Sequence, residues 1–87
     1  MFSQKIYVEI ARVTQKALDE MHSGKTIDQV TIILGYVQLS SRNVAGYDAE
    51  LRAGIERLLE LARAGNQRQL ADALEALGQQ MDQEHAA

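Results

Sequence analysis

The chain has 87 residues, of which 46% are hydrophobic, and a formal net charge of −3 at neutral pH. It contains no cysteine, so disulfide bonds and cysteine-ligated metal sites are excluded and a reducing compartment suits it. No segment provides the roughly 20 apolar residues that span a bilayer, and the N-terminal residues do not resemble a secretory signal. We expect a cytoplasmic, one-domain protein, at a size where self-association often supplements a small core.

The first predicted helix begins at Ser3 and ends near His22. Gly24 is interpreted as the left-handed residue that stops it. Its apolar residues recur at helical spacing and form one stripe: Phe2, Ile6, Ile10, Val13, Ala17 and Met21. Three further apolar residues widen this stripe: Tyr7, Ala11 and Leu18.

The second predicted helix is the most informative segment, because it is apolar on two faces. Thr26 and Gln29 form a capping-box pattern at its start, and it runs to about Ala45. A projection at 100° per residue gives one broad stripe: Ile27, Val30, Ile33, Leu34, Val37 and Val44. A second stripe lies nearly opposite: Ile32, Tyr36 and Leu39. Because one stripe is enough for a core, the second predicts contact with further helices or with another chain.

Two local questions arise in this segment. Residues 30–39 are rich in β-branched and aromatic residues and could form a buried strand. No second strand candidate exists to pair with it, so we predict a helix. Gly35, in mid-segment, costs about 1 kcal/mol relative to alanine in a helix. It marks either a close approach between helices or a tolerated defect.

The last two predicted helices are ordinary amphipathic elements. Asp48 is expected to cap the third helix, and Gly65 ends it. Asn66 and Gln69 form a second capping-box pattern that starts the fourth helix. The expected buried residues of this pair are Leu51, Ile55, Leu58, Leu59, Ala62, Leu70, Ala73, Leu74, Leu77 and Met81. We place a single helical domain at residues 1–83 and a disordered tail at residues 84–87.

The short turns predict two αα-hairpins, which pack most simply as an antiparallel four-helix bundle. The predicted fold class is therefore all-α. Because the second helix has a surplus apolar stripe, we also expect the bundle to be dimeric.

Patterns that indicate catalysis or metal binding are weak. Asp19 and His22 have the spacing of a chelating pair, but one pair supplies only two ligands. Residues 23–26 read Ser-Gly-Lys-Thr, without the earlier glycine and the strand of a phosphate-binding loop. No histidine is placed to activate a serine. We expect neither an enzyme nor a metal or cofactor site.

DNA binding is the alternative function. The turn at Gly65 leads into a helix that opens with side chains able to read base edges: Asn66, Gln67, Arg68 and Gln69. The negative net charge opposes phosphate contacts, and the three lysines all lie in the first third of the chain. A transcriptional regulator with a helix-turn-helix-like hairpin is the runner-up.

The preferred interpretation is a small non-enzymatic protein-binding module that acts as a regulator, adaptor or inhibitor. The predicted contact residues are Ile32, Tyr36 and Leu39, with Tyr7, Ala11 and Leu18 as neighbours. If the first three stayed exposed, they would present a few hundred Å² of apolar surface, near the upper end for a soluble monomer. The partner is another protein, a second copy of this chain, or both, and no membrane contact is expected.

Overall fold

The computed structural model describes residues 2–42 and 46–86, and within these ranges it is all-helical. The helices are α1 (Gln4–Glu20), α2 (Gly24–Ser41), α3 (Asp48–Ala64) and α4 (Arg68–Ala86). Helix α1 packs against α2 and α4, and α3 packs against the same two helices. The prediction of a helical domain with four helices is confirmed, and the strand alternative for residues 30–39 is wrong.

The turn between α1 and α2 differs from the predicted one. Helix α1 ends at Glu20, and Gly24 is the first residue of α2, not a left-handed stop. Ser23 is the N-cap of α2: its Oγ accepts a hydrogen bond from the Thr26 N–H at 3.2 Å. Thr26 is not the cap, because its side chain is buried and its hydroxyl lies 2.9 Å from the Ser23 hydroxyl.

The C-terminal end of α2 also differs from the prediction. The helix ends at Ser41 rather than near Ala45, with Arg42 as its C-cap. The Arg42 N–H approaches the carbonyl oxygens of Leu39 and Ser40, which closes the last turn. The predicted contribution of Val44 lies outside the described residues.

The residues that cap the two ends of α3 differ from those that the sequence patterns predicted. Tyr47 occupies the N-cap position, and Asp48 is the first residue of the helix. At the other end Asn66 has a φ of +58°, and the Gln67 N–H donates to the Ala62 carbonyl at 2.9 Å. This is a Schellman turn with asparagine as its left-handed residue. Asn66 therefore closes α3 and does not cap α4.

The predicted tail is largely part of α4. The helix continues to Ala86, and the Glu84 carboxylate accepts hydrogen bonds from the Ser3 N–H at 2.8 Å and the Ser3 hydroxyl at 2.6 Å. Ser3 is also the N-cap of α1, since its Oγ accepts from the Ile6 N–H. Two hydrogen bonds thus join the start of α1 to the end of α4.

The core draws side chains from every described helix. The predicted stripes of α1, α3 and α4 are buried with few exceptions, and α2 adds Val30 and Ile33. The largest fully buried side chains are Ile10, Ile33, Leu51, Ile55, Leu58, Leu70, Leu74 and Met81. Thr14 is also fully buried, and its hydroxyl has no hydrogen-bond partner within the described ranges.

Ile27 does not belong to the core, although the sequence pattern placed it there. Its side chain is 46% exposed, whereas those of Thr26 and Gln29 are buried. Because these two polar residues face inward, α2 is rotated relative to the apolar projection. The buried face of α2 therefore contains fewer apolar residues than predicted, and more apolar surface of α2 is exposed.

Candidate interaction surface on the second helix

The outward side of α2 carries a line of five exposed residues that we name the outer stripe: Asp28, Ile32, Gly35, Leu39 and Arg42. Their spacings alternate between four and three residues, which keeps them on one side of an α-helix. No charged residue occurs from position 29 to position 41. The outer stripe is therefore uncharged in the middle and carries one charge of each sign at its ends.

Two predicted contact residues lie on the outer stripe. Ile32 is 48% exposed and Leu39 is 37% exposed. Tyr36 lies between them in sequence, but it is half-buried and packs against the core. Its ring centroid lies 5.0 Å from that of Tyr47, so the tyrosine pair forms the edge of the surface beside α3.

The three predicted neighbours on α1 are less exposed than the residues of the outer stripe. Tyr7 is only 6% exposed, and its hydroxyl accepts a hydrogen bond from the Phe2 N–H at 3.2 Å. The two rings also meet edge to face, with centroids 6.0 Å apart. Ala11 and Leu18 are half-buried, and Leu18 packs against the core. Tyr7 was included because it widens the α1 stripe, but that width serves the core.

A shallow groove runs beside the outer stripe, between α2 and α3. One part of about 250 Å³ is lined by Gln29, Ile32, Tyr36, Glu50, Ala53, Gly54 and Arg57. A second part of about 520 Å³ continues the line past Gln29 and Arg57 to Lys25, Asp28, Glu60, Leu61 and Ala64. At the base of the groove, Gly54 packs closely against Ile33. A Cβ built on Gly54 would lie 2.8 Å from the Ile33 Cγ1.

Four charged side chains along this groove form no salt bridge with another described residue: Lys25, Glu50, Arg57 and Glu60. Salt bridges occur on other parts of the surface. Arg52 contacts Glu56 and Asp82, and its pKa is raised chiefly by the hydrogen bond to Asp82. On α1, the hydrogen bond from Arg12 lowers the pKa of Glu9.

Gly35 occupies the centre of the outer stripe. A Cβ built on Gly35 would have no other heavy atom within 4 Å. The glycine therefore does not mark a close approach between helices of this chain. Whether it serves an approach from outside depends on what covers the outer stripe.

Most of the other candidate residues named from the sequence lie at exposed positions. His22 is exposed, and within residues 2–42 and 46–86 no group of three His, Asp or Glu side chains is placed to hold a metal ion. Asn66, Arg68 and Gln69 are exposed at the turn before α4. In the same described ranges, no helix combines the length and hydrophobicity that crossing a bilayer requires.

Sequence reasoning missed two exposed apolar side chains. Ile27 lies near the start of α2, and Val8, 55% exposed, lies on α1. No sequence signal was available for Ile27, because its outward position follows from the inward orientation of Thr26, which the structure shows. No pattern distinguished Val8, which lies between Tyr7 and Glu9 in the sequence and about one helical turn from Lys5 and Arg12.

Comparisons with known proteins return nothing that resembles this chain: no family model matches it, and no curated protein or solved structure does either.

Proposed function

We propose that this chain is a small protein-binding module that acts through the outer stripe of α2, with Tyr36 at its edge. One observation carries the proposal: Ile32 and Leu39 are exposed on a helix side that has no charge between Asp28 and Arg42. Exposed apolar residues scattered singly need no explanation, but neighbouring ones on an uncharged helix face are typical of an interaction surface.

The energetics favour association of modest strength. Full burial of a large aliphatic side chain contributes about 1.5 to 3 kcal/mol. Because Ile32 and Leu39 are already about half covered, a partner gains roughly 1 kcal/mol from each. Ile27 and the accessible part of Tyr36 add to this. The sum suits a regulator, adaptor or inhibitor that binds reversibly.

The proposal includes an antiparallel arrangement of two helical hairpins. Cross-helix ion pairs support it for α3 and α4: Arg52 contacts Asp82, and Arg63 contacts Glu75. The residue number rises along α3 as it falls along α4. The groove between α2 and α3 follows the same order, since Lys25 and Ala64 line one part and Tyr36 and Glu50 line the other.

The test replaces one apolar residue of the outer stripe by a charged one. Ile32→Glu should abolish association of the purified chain or its capture of a binding protein, because a carboxylate cannot be buried there unpaired. Val8→Glu is the matched control, since Val8 is equally exposed but lies on α1. Light scattering and affinity capture give the readout, and circular dichroism should show unchanged helicity. If Ile32→Glu binds as the parent does, the proposal fails.

DNA binding is a second candidate that rests on the exposed side chains before α4. The ion pairs between α3 and α4 hold α4 along α3, whereas a recognition helix must project into a groove. Nearby Arg63 is already paired with Glu75 at 3.1 Å. Salt-dependent binding to duplex DNA that is lost in Arg68→Ala would favour this candidate over the protein-binding one.

A further inference from the structure

We propose that the outer stripe binds a second copy of this chain, with the two α2 helices antiparallel across a two-fold axis at Gly35. This inference rests on the proposed function, because it names the partner of the same surface. Two-fold dimers use one patch on both subunits, so the patch must complement itself. The outer stripe can complement itself in three ways: its charges pair, its apolar residues meet, and its central glycine lets the two backbones approach.

The charge pattern is symmetric about Gly35 and opposite in sign. Asp28 lies seven residues before Gly35, and Arg42 lies seven residues after it. In an antiparallel pair centred on Gly35, Asp28 of each copy faces Arg42 of the other, which gives two ion pairs. A parallel pair would place like charges together at both ends and is disfavoured. Lys25 lies one turn before Asp28, but it is not part of the outer stripe. It lines the groove between α2 and α3 together with Glu60.

The apolar residues match in the same register. Ile32 lies three residues before Gly35, and Leu39 lies four residues after it. In the antiparallel pair their levels differ by one residue, about 1.5 Å along the helix axis. Ile32 of one copy therefore packs against Leu39 of the other, and the contact occurs twice. The charge-free segment between Asp28 and Arg42 ensures that no charged side chain of α2 is buried near the axis.

Gly35 allows the two backbones to approach. It is exposed and has open space around the position of a Cβ, and a glycine at a helix crossing permits close contact of the main chains. This gives the mid-helix glycine a role that contacts within the chain do not provide. Two helices of this length make a small interface, so the dimer is weak and reversible, and Tyr36 beside the stripe adds contact area.

Charge reversal tests the register directly. Asp28→Arg and Arg42→Asp should each weaken dimerisation about tenfold, because each places like charges together at both ends. The double variant should return the dimerisation constant to within about twofold of the parent. Residues 28 and 42 are about 21 Å apart within one helix, so this recovery can only come from contact between copies. Sedimentation equilibrium, from about 10 µM to about 1 mM, measures each constant.

Asp72→Arg is the matched control, because Asp72 is exposed and is the fifth residue of α4, as Asp28 is of α2. It should leave dimerisation unchanged. Circular dichroism of each variant separates loss of folding from loss of association. Failure of the double variant to recover would overturn the antiparallel register.

Cysteine cross-linking provides an independent readout, since the chain has no cysteine of its own. Gly35→Cys should form a disulfide-linked dimer on oxidation, whereas Asp28→Cys should not, because the two copies of residue 28 lie about 21 Å apart. Equal cross-linking of both variants would indicate a parallel pair and overturn the inference. If the parent chain is monomeric throughout but captures another protein in an Ile32-dependent manner, the inference fails and the proposed function stands. If neither association depends on Ile32, both fail.

Discussion

The contact between α3 and α4 differs from the outer stripe of α2 in how far side chains cover it, although similar helices form both regions. Between α3 and α4, Arg52 reaches Asp82 and Arg63 reaches Glu75, so charged side chains cover the seam. The Arg52 guanidinium also lies over Gly78, 2.9 Å from where a Cβ would stand. The outer stripe has no such cover: Gly35 is open and its apolar neighbours are exposed.

This difference separates surface that the chain covers with its own side chains from surface that it leaves exposed. A glycine is compatible with either outcome, and the side chains around it decide which one applies. The Arg52 side chain from α3 occupies the space beside Gly78, and the Ile33 side chain from α2 occupies the space beside Gly54. No side chain occupies the corresponding space beside Gly35 among the described residues.

The largest expected effect distinguishes the two sides of α2 itself. Ile33→Ala should lower the free energy of unfolding by about 2 to 4 kcal/mol, because Ile33 is fully buried and its removal leaves a cavity. Ile32→Ala should change it by about 1 kcal/mol or less, since nearly half of that side chain is exposed. Urea unfolding at a concentration that favours the monomer provides both values. Equal losses would show that Ile32 belongs to the core.

A smaller effect of opposite sign is expected at two glycines. Gly54→Ala should destabilise the fold by about 1 to 2 kcal/mol, because the new Cβ meets the buried Ile33 side chain. Gly35→Ala should stabilise the monomer by about 0.5 to 1 kcal/mol, since alanine suits a helix better and finds open space. Thermal unfolding of dilute samples measures the pair. A destabilised Gly35→Ala monomer would contradict the open site.

The smallest expected effect concerns the seam between α3 and α4. Arg52→Met removes the contacts with Asp82 and Glu56 but keeps an apolar stem, so it should lower stability by roughly 0.5 to 1 kcal/mol. About 1 M salt should reduce the difference, because the pairs are partly exposed and are screened. Arg12→Met breaks only the exposed pair with Glu9 on one helix and should give no resolvable change. A salt-independent loss at Arg52 would indicate that packing over Gly78 dominates.

The periodicity of apolar residues was enough to predict the helices and most of the core. It could not predict the rotation of α2, because that rotation depends on polar residues that face inward. Thr26 is tolerated in the interior since its hydroxyl meets Ser23, and a hydrophobicity projection gives such a residue no weight. The error moved Ile27 from the surface into the predicted core.

The exposure of the predicted contact residues could be foreseen in part. Ile32 and Leu39 are exposed because they lie opposite the core stripe of their own helix. The burial of Tyr7 could not be foreseen, because a wide apolar stripe has the same sequence pattern whether its width is buried or exposed, and it is the contact with Phe2 that covers this side chain. Asp28 and Arg42 lie seven residues to either side of Gly35 in the sequence, but the apolar periodicity does not show that all three are exposed on one side of α2.

The hydrogen bonds between Ser3 and Glu84 have a consequence for the order in which the chain assembles. The connection between α3 and α4 spans only the residues from Gly65 to Gln67, so this hairpin forms at a small loss of chain entropy. The bonds between Ser3 and Glu84 close a segment of 81 residues, for which the entropic loss is larger. The contact between the start of α1 and the end of α4 therefore forms late in folding and opens early. Amide hydrogens at the start of α1 should exchange with solvent sooner than those in the middle of α3.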